Sequence, residues 1–363
     1  REVATGIASV TAASVDEAGR FPQESFDALK AEKLLGMMVP AGAGGGGASL
    51  RDVVSVCHRL GQACGSTAMI FAMHQIQVAC IVRHGATSAW HSAFLRALAE
   101  KQLLLGSATS EAGIGGDVRR SICAVETDGD GFVLKKEATV ISYGAEADAI
   151  LVTARRTPDS AASDQVIVVV PKDKCRLERR SRWNALGMRG TCSDGFDLDC
   201  RGSVEQILPL PYADISTQTM LPVSHLVWSA VWLGITTDAV ARARTFVRAA
   251  ARRNAGSLPD LEGGSPWPLR GRRFAAARDG LMAMRRLLSN ALARYEAALQ
   301  SPEELSSLSL AVEMNSLKVG LSRLAVETVG EALQTCGLAG YLNDSPYSVG
   351  RHLRDVHSAR LMI

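Results

Sequence analysis

The order of the hydrophobic periods along the chain is the strongest constraint on its fold. Apolar residues recur at helical spacing up to about residue 103, as in SFDALKAEKLLGMMVP. They then form short β-branched runs bounded by Gly, Asp and Pro, such as QVIVVVPKD, before helical spacing returns near residue 213. Helices and strands do not alternate, which argues against a doubly wound sheet. An α+β fold is predicted, with an N-terminal helical domain (1–103), a central β domain (104–212) and a C-terminal helical bundle (213–363).

Charge and cysteine usage limit the classes of partner. The net charge is only +3, so no nucleic-acid partner is predicted. The eight cysteines include no Cys-x-x-Cys pair, which favours reduced thiols and no metal site. No apolar run reaches the length of a membrane span, and the first residues lack a signal-peptide pattern. A cytoplasmic protein without a membrane span is therefore expected.

The stretch GAGGGG, residues 42–47, satisfies the spacing G-x-G-x-x-G of a dinucleotide-binding turn. That spacing has meaning only after a strand, at the start of a helix, with an acid about 20 residues further on. Here a helical segment precedes it and no acid follows at that distance. We therefore interpret it as a permissive turn between two helices.

Five other stretches occur in a telling order: VPAGAGGGGASL, TSEAGIGGD, LGMRGTCSDGFDLD, QTCGLAGY and RHLRD. Together they resemble the motifs of the acyl-CoA dehydrogenase family of flavoproteins over nearly the whole chain. The resemblance implies a central antiparallel β-barrel and a C-terminal four-helix bundle, with FAD between them. It also implies a homodimer or homotetramer.

The resemblance further implies α,β-desaturation of an acyl thioester, carried by coenzyme A or an acyl-carrier protein. Such a reaction needs a base for the α proton and a flavin that accepts the β hydride. The electrons would then pass to an electron-transfer flavoprotein or to oxygen. The length of the acyl chain is not encoded in any motif.

The positions that match the family's cofactor-binding motifs are Ser107, Thr109, Ser110, Gly115, Gly116, Val140, Ser142, Gln334 and Gly337. Ser110 and Ser142 stand where the family has threonines near the flavin ring, and Val140 replaces a tryptophan that commonly covers it. The N–H groups of Gly115 and Gly116 could meet the pyrophosphate, since glycine allows close approach. The alternative for this loop is a plain β turn.

Gln334 and Gly337 match the segment that contacts the FAD of a partner subunit. The family's Arg-x-x-Phe-Gly stretch, which belongs to the same contact, is not evident in residues 252–274. The residues that would make part of the contact with the adenine of FAD are therefore not identified by the sequence.

The catalytic base is the largest departure from the family pattern. The usual glutamate falls at Ile363 and the alternative one at Ser224, beside His225, so neither position holds a carboxylate. Ser224 and His225 remain weak catalytic candidates, and Thr191 and His74 are candidate substrate-binding residues. For His74 the favoured interpretation is a core histidine bonded to a carbonyl. His352 and His357 are expected on a helix surface.

Three functions stay open on these residues. The first is an FAD-dependent acyl-CoA dehydrogenase. The second is a flavin-dependent monooxygenase on the same fold, because such relatives lack the glutamate and use histidine and serine near the flavin. The third is an inactive member that binds flavin or acyl-CoA as a scaffold.

Overall fold

The computed structural model describes residues 2–254 and 267–362. Five helices precede the first strand. They are α1 (Ser9–Ala18), α2 (Gln23–Ala31), α3 (Leu50–Gly61), α4 (Gly65–His84) and α5 (Ala89–Lys101). Helix α4 is almost entirely buried, because its own apolar residues are distributed over all of its sides.

The glycine-rich stretch 42–47 is a turn between α2 and α3, as predicted. A Cβ at Gly45 would lie 2.2 Å from the Val39 carbonyl oxygen, so the backbone crosses itself at a distance only glycine permits. Helix α3 then begins at Ser49, whose hydroxyl accepts from the Asp52 N–H while the Asp52 carboxylate accepts from the Ser49 N–H. This capping box ends the turn and starts the helix.

The strands form two sheets, and the prediction of an antiparallel barrel is wrong. They are β1 (Leu105–Ala108), β2 (Glu126–Asp128), β3 (Gly131–Ile141), β4 (Ala149–Arg155), β5 (Gln165–Pro171), β6 (Cys175–Ser181) and β7 (Asp194–Ser203). One sheet has the order β1-β4-β5 and the other β2-β3-β7-β6. Strands β1 and β4 are parallel, because the connection between them first contributes β2 and β3 to the second sheet. Within residues 2–254 and 267–362 the two sheets do not close into a barrel.

Two of the cysteines do not follow the expectation of reduced thiols. Cys175 and Cys200 face each other in the register of β6 and β7, with Cα atoms 4.1 Å apart, and their sulfur atoms are bonded. Strand pairing brings the two thiols together across 25 residues of chain, which their spacing in the sequence does not reveal.

The described residues after the sheets are mainly helical. Their elements are α6 (Tyr212–Ile215), α7 (Leu221–Asn254), α8 (Trp267–Ala298), α9 (Pro302–Leu305), α10 (Leu308–Cys336), α11 (Leu338–Tyr341), α12 (Gly350–Val356) and α13 (Ser358–Leu361). Helices α7, α8 and α10 pack on one another.

Helix α7 also packs against α3 and α4, from the N-terminal part of the chain. Helices α3 and α7 approach closely at Gly61 and Gly234: a Cβ on Gly234 would lie 2.4 Å from the His58 carbonyl oxygen. Within its described part, the segment 213–363 thus supplies three long helices rather than four. The domain boundaries at 103 and 212 stay a prediction.

Two stretches of helix are long and apolar enough to cross a membrane by length and composition alone: Gly65–His84 and Tyr212–Arg252. In each, 89% of the most apolar window is buried inside the protein. Core helices pass the same test, so these stretches are weak indications of a membrane span.

Candidate functional site

The loop TSEAGIGGD, residues 109–117, is anchored by the buried carboxylate of Glu111. Its oxygens accept from the Ser121 hydroxyl (2.7 Å) and from the N–H groups of the two residues that follow (3.1 and 2.6 Å). The Nζ atom of Lys136 on β3 lies 3.5 Å from Glu111, and both side chains are at most 5% exposed. Burial lowers the pKa of Lys136, and the charge of Glu111 opposes that shift. Glu111 therefore holds the loop in place and has no oxygen to spare for a ligand.

The glycines of this loop leave its outer side open. Gly113, Gly115 and Gly116 have φ angles of +86°, +62° and +84°, in the left-handed region that favours glycine. A Cβ at Gly115 would meet nothing within 4 Å. The Ala112 N–H donates to the Glu137 carbonyl (2.9 Å) and fastens the loop to β3. The result is a fixed, uncovered backbone of the kind that approaches phosphates closely.

A β-bulge near the end of β3 lies beside this loop. The pairing of β3 with β7 shifts register between Ala138 and Ile141, which leaves backbone groups of Val140 without a strand partner. The Ser110 hydroxyl bonds both of these backbone groups: it donates to the Val140 carbonyl (2.8 Å) and accepts from the Val140 N–H (3.2 Å). The Val140 side chain is 41% exposed. Ser110 thus fixes an apolar side chain at the surface next to the open loop.

A row of three hydrogen-bonded hydroxyl groups leads inward from the surface beside Val140. Ser142 Oγ lies 2.8 Å from Ser193 Oγ, which lies 2.9 Å from Thr191 Oγ1. Thr191 donates to the Met188 carbonyl at 2.9 Å. Ser142 is partly exposed at the outer end of this chain, whereas Ser193 and Thr191 are buried. We call Ser110, Val140, Ser142, Thr191 and Ser193 the β-domain face.

The backbone behind the β-domain face is strained. Tyr143, Met188 and Cys192 have φ angles of +43°, +50° and +46°, which non-glycine residues rarely adopt. The Tyr143 N–H donates to the Thr191 carbonyl (2.8 Å), so the three residues belong to one folded unit. Strain of this kind persists only where surrounding contacts enforce it, and it concentrates at functional sites.

The loop LGMRGT ties this unit to three helices. The Met188 N–H donates to Asp355 on α12 (2.7 Å), and the Gly190 N–H donates to the Ser66 hydroxyl on α4 (3.1 Å). The Arg189 guanidinium donates to a carbonyl of α1 (2.7 Å). Burial raises the pKa of Asp355 to about 6. The motifs LGMRGT and RHLRD, far apart in the sequence, are therefore in direct contact through the hydrogen bond from Met188 to Asp355.

His74 has both ring nitrogens engaged with backbone. Nδ1 accepts from the Leu105 N–H (3.0 Å), so the proton is on Nε2, which donates to the Leu35 carbonyl (2.9 Å). Burial lowers its pKa to about 4. The ring pins α4 to β1 and has no nitrogen left for a substrate.

Ser224 and His225 lie near the start of α7. The Ser224 hydroxyl donates to the Met220 carbonyl (2.5 Å), one turn earlier in the chain. Burial lowers the pKa of His225 to about 4, and nearby Lys318 adds to the effect. The imidazole is thus neutral at physiological pH, and its Nδ1 has no hydrogen-bond partner among the described residues.

His225 belongs to a row of polar groups along one side of α7. Residues 225, 228, 229 and 232 are three or four apart and share a helix face. The ring of Trp228 lies 6.4 Å from His225 and 6.5 Å from Trp232, measured between centroids. The indole N–H of each tryptophan and the Ser229 hydroxyl have no partner in the described part of the chain. Buried donors without acceptors are costly. Ser229 and Trp232 are fully buried, so only the end of the row at His225 and Trp228 is placed to meet a ligand.

The remaining candidates lie in different surroundings. Ser107 is on β1, and Thr109 begins the loop. Gln334 is exposed near the end of α10, and Gly337 ends that helix with φ +59°. Among residues 2–254 and 267–362, no contact connects Gln334 or Gly337 to the β-domain face, so their contact with a partner's cofactor stays a prediction. Ile363 and residues 255–266, where part of the adenine contact was sought, lie outside the described residues.

The sequence did not single out Ser193, Lys136 or the structural role of Asp355. Ser193 had a weak signal, because two hydroxyl residues at positions i and i+2 follow LGMRG. His352, expected on a helix surface, is 5% exposed, and its Nε2 lies 2.7 Å from the Asp238 carboxylate on α7. That expectation was wrong because α12 packs its His352 side against α7.

The arrangement fits a flavin. The open glycine backbone at 113–116 suits a phosphate, and the exposed Val140 side chain suits a planar apolar ring. Ser142 offers an oxygen at the edge of that surface. Two cavities of about 370 and 470 Å³ lie elsewhere, over the β6–β7 sheet and between α2 and α3. Their linings include Lys136 and Glu137 of β3 but none of residues 113–116, Val140 or Ser142, so both cavities lie outside the site.

Comparisons with known proteins identify the family. Residues 1–102 match the family description "Acyl-CoA dehydrogenase, N-terminal domain", and residues 226–362 match "Acyl-CoA dehydrogenase, C-terminal domain". The chain belongs to the acyl-CoA dehydrogenase family. The family resemblance inferred from the five motifs is thereby confirmed.

Three relatives bear on function. The dibenzothiophene monooxygenase of Rhodococcus erythropolis is 26% identical over 69% of this chain and 62% of its own length. The cyclohex-1-ene-1-carbonyl-CoA dehydrogenase of Geobacter metallireducens is 28% identical over 53% of this chain and 50% of its own length. A Pseudomonas putida protein named "Probable FMNH2-dependent monooxygenase SfnC" is 24% identical over 99% of this chain and 89% of its own length. The chain thus spans less than two thirds of the first two relatives.

Solved structures confirm the fold. The nitrososynthase from Micromonospora carbonacea var. africana superposes with a TM-score of 0.84 at 24% identity, over 99% of this chain and 90% of its own. FMN-bound TdsC from Paenibacillus sp. A11-2 also gives 0.84, at 20% identity, over 99% and 92%.

Proposed function

We propose that this acyl-CoA dehydrogenase family member is a flavin-dependent monooxygenase. In its reaction, reduced flavin, O2 and substrate would give oxidised flavin, water and a substrate that carries one added oxygen atom. The observation that carries the proposal is at the start of α7. Ser224, where a glutamate would remove the α proton in a dehydrogenase, is bonded to its own helix, and the neighbouring His225 is neutral.

The relatives support this choice over desaturation. Two of the three relatives described above are named as monooxygenases, and one of those matches nearly the whole chain. The flavin is proposed to be FMN, because one relative is named for FMNH2 and one related structure holds FMN. FAD, which the sequence motifs implied, is kept as the alternative cofactor.

Each part of the site has a task in such a reaction. The backbone of Gly115 and Gly116 would hold the flavin phosphate, and the β-domain face would support one side of the ring. Bound reduced flavin supplies the electrons that activate oxygen. The indole N–H of Trp228 can donate to a substrate. The free Nδ1 of the neutral His225 can accept a hydrogen bond, because the other ring nitrogen donates to the Met314 carbonyl. None of these groups needs to change its charge during the reaction.

Desaturation of an acyl thioester remains the second candidate, because one relative is an acyl-CoA dehydrogenase of 28% identity. The donors along α7 could also bind a thioester carbonyl. This candidate needs a base that the described residues do not offer at Ser224.

The two functions are separated by one set of measurements. The purified protein is mixed with photoreduced FMN under nitrogen and then with buffered O2 and a substrate panel: dibenzothiophene, an amino sugar and an acyl-CoA. Mass spectrometry for an added 16 or 18 mass units, with ¹⁶O2 or ¹⁸O2, is the readout. Incorporation of label into any substrate supports the proposal.

A parallel anaerobic mixture contains the oxidised flavin and the acyl-CoA. Bleaching of the flavin with formation of an enoyl product would establish desaturation and refute the proposal. His225→Ala tests the site, with exposed His357→Ala as the matched control. Oxygenation should fall at least tenfold in the first variant and stay unchanged in the second.

A further inference from the structure

Three of the four hydroxyls of the β-domain face, those of Ser142, Ser193 and Thr191, have only one consistent arrangement of protons. The chain runs Ser142–Ser193–Thr191–Met188 carbonyl, with oxygen–oxygen distances of 2.8, 2.9 and 2.9 Å. Each hydroxyl has a single proton and can accept through its lone pairs. A contact of this length between two oxygens is stable only with a proton between them.

The Met188 carbonyl, at the end of this row of hydroxyls, fixes the direction of the hydrogen bonds. The Met188 carbonyl has no proton, so Thr191 must donate to it. Thr191 then has no proton for Ser193, and Ser193 must donate to Thr191. By the same step, Ser142 must donate to Ser193. Ser142 Oγ is left with lone pairs only on its outward side.

The Met188 carbonyl is held so that this direction is stable. It also accepts from the indole N–H of Trp183 (3.1 Å) and from the Thr191 N–H (3.1 Å). The Met188 N–H is fastened to the buried Asp355. Reversal of the row of hydroxyls would leave Thr191 Oγ1 and the carbonyl oxygen 2.9 Å apart with no proton between them.

We propose that this polarised chain makes Ser142 an obligate hydrogen-bond acceptor, so that the site selects reduced over oxidised flavin. The inference rests on the proposed function. A central ring nitrogen of oxidised flavin has a lone pair, whereas the same nitrogen in reduced flavin carries a proton. An acceptor opposite that nitrogen gains a hydrogen bond with the reduced form and faces a second lone pair in the oxidised form.

The selection is a property of three residues that act together. Ser193 and Thr191 are positioning residues, because they set the proton on Ser142 without facing the ring. A serine at position 142 without this chain could rotate its proton outward and bind the oxidised ring equally well.

The test compares dissociation constants for oxidised and reduced FMN and FAD, measured anaerobically by fluorescence and absorbance titration. The ratio of the oxidised to the reduced constant should be at least about tenfold in the unaltered protein. Ser193→Ala frees the Ser142 proton and should bring the ratio close to one, mainly through tighter binding of oxidised flavin. Thr191→Val should act likewise, because the Ser193 proton can then turn towards Ser142. Ser193→Thr keeps the hydroxyl and is the matched control with an unchanged ratio.

The midpoint potential of bound flavin gives a second readout. For a two-electron couple, a tenfold fall in the ratio corresponds to a shift of about −30 mV. A purely structural role for Ser193 would weaken both redox forms equally and leave the ratio and the potential unchanged. Either an unchanged ratio in Ser193→Ala or a preference of the unaltered protein for oxidised flavin would overturn the inference.

Failure of the proposed function looks different. Selection of reduced flavin without oxygenation of any substrate would sustain this inference and remove the proposed function. Oxygenation with a ratio that does not respond to Ser193→Ala would do the reverse. Binding of neither redox form of either flavin would overturn both.

Discussion

The ion pair beneath the glycine loop offers a quantitative test of what holds the site. Glu111→Gln places an amide NH2 where a carboxylate oxygen now accepts hydrogen bonds. However the amide turns, at least one of the three donors at Glu111 faces another donor. Lys136 also loses its counter-charge in a setting where both side chains are at most 5% exposed. Loss of one partner from such a pair costs about 3–5 kcal/mol of the free energy of unfolding.

The size of this loss sets the expected change in melting temperature. With an unfolding entropy of about 2.1 cal/mol/K per residue over 363 residues, a loss of about 3–5 kcal/mol lowers Tm by about 4–7 °C. Lys136→Met should cost less, about 1–2 kcal/mol, because Glu111 keeps all three of its donors. Differential scanning calorimetry and urea unfolding measure both values.

Two features distinguish this explanation from general damage to the core. Lys135→Met, the exposed neighbour on the same strand, should change the free energy of unfolding by no more than about 0.5 kcal/mol. The deficit of Glu111→Gln should also shrink as the pH rises towards about 10.4, because a buried lysine with a lowered pKa loses its proton before the unfolded one does. A Glu111→Gln variant that is as stable as Lys135→Met, or a deficit independent of pH, would refute the reasoning.

Three further predictions concern the rest of the site. Gly115→Val, at a φ of +62°, should weaken FMN binding at least tenfold while far-ultraviolet circular dichroism stays unchanged; tight FMN binding by this variant would show that the loop is misplaced. The pKa of Asp355 is raised to about 6, so its ionisation destabilises the fold as the pH rises from about 4 to 6. Asp355→Asn should therefore lose less free energy of unfolding than the unaltered protein over that range, by about 2–3 kcal/mol in urea titrations, and parallel curves would contradict this. Because the pKa of His225 is lowered to about 4, kcat/KM for oxygenation should show no ionisation near pH 6.5, and a step at that pH would mean that His225 titrates in the free protein.

The sequence determined more of this protein than its weak motifs suggest. Local period and turn chemistry are encoded by neighbouring residues, so the helix–strand–helix order and the turn at 42–47 could be predicted directly. The five motifs were enough to place the chain in its family. The loss of the glutamate at Ser224 was also visible from the sequence, and it is the observation on which the proposed reaction depends.

Only the tertiary structure decided which partners each group meets. The parallel pairing of β1 with β4 depends on where the chain returns after β3, and the bond between Cys175 and Cys200 depends on strand register. His74 and His352 are structural because backbone or carboxylate groups from distant segments reach their rings. The direction of the protons from Ser142 to Met188 is likewise invisible in the sequence, since it depends on distances between atoms brought together by a strained loop.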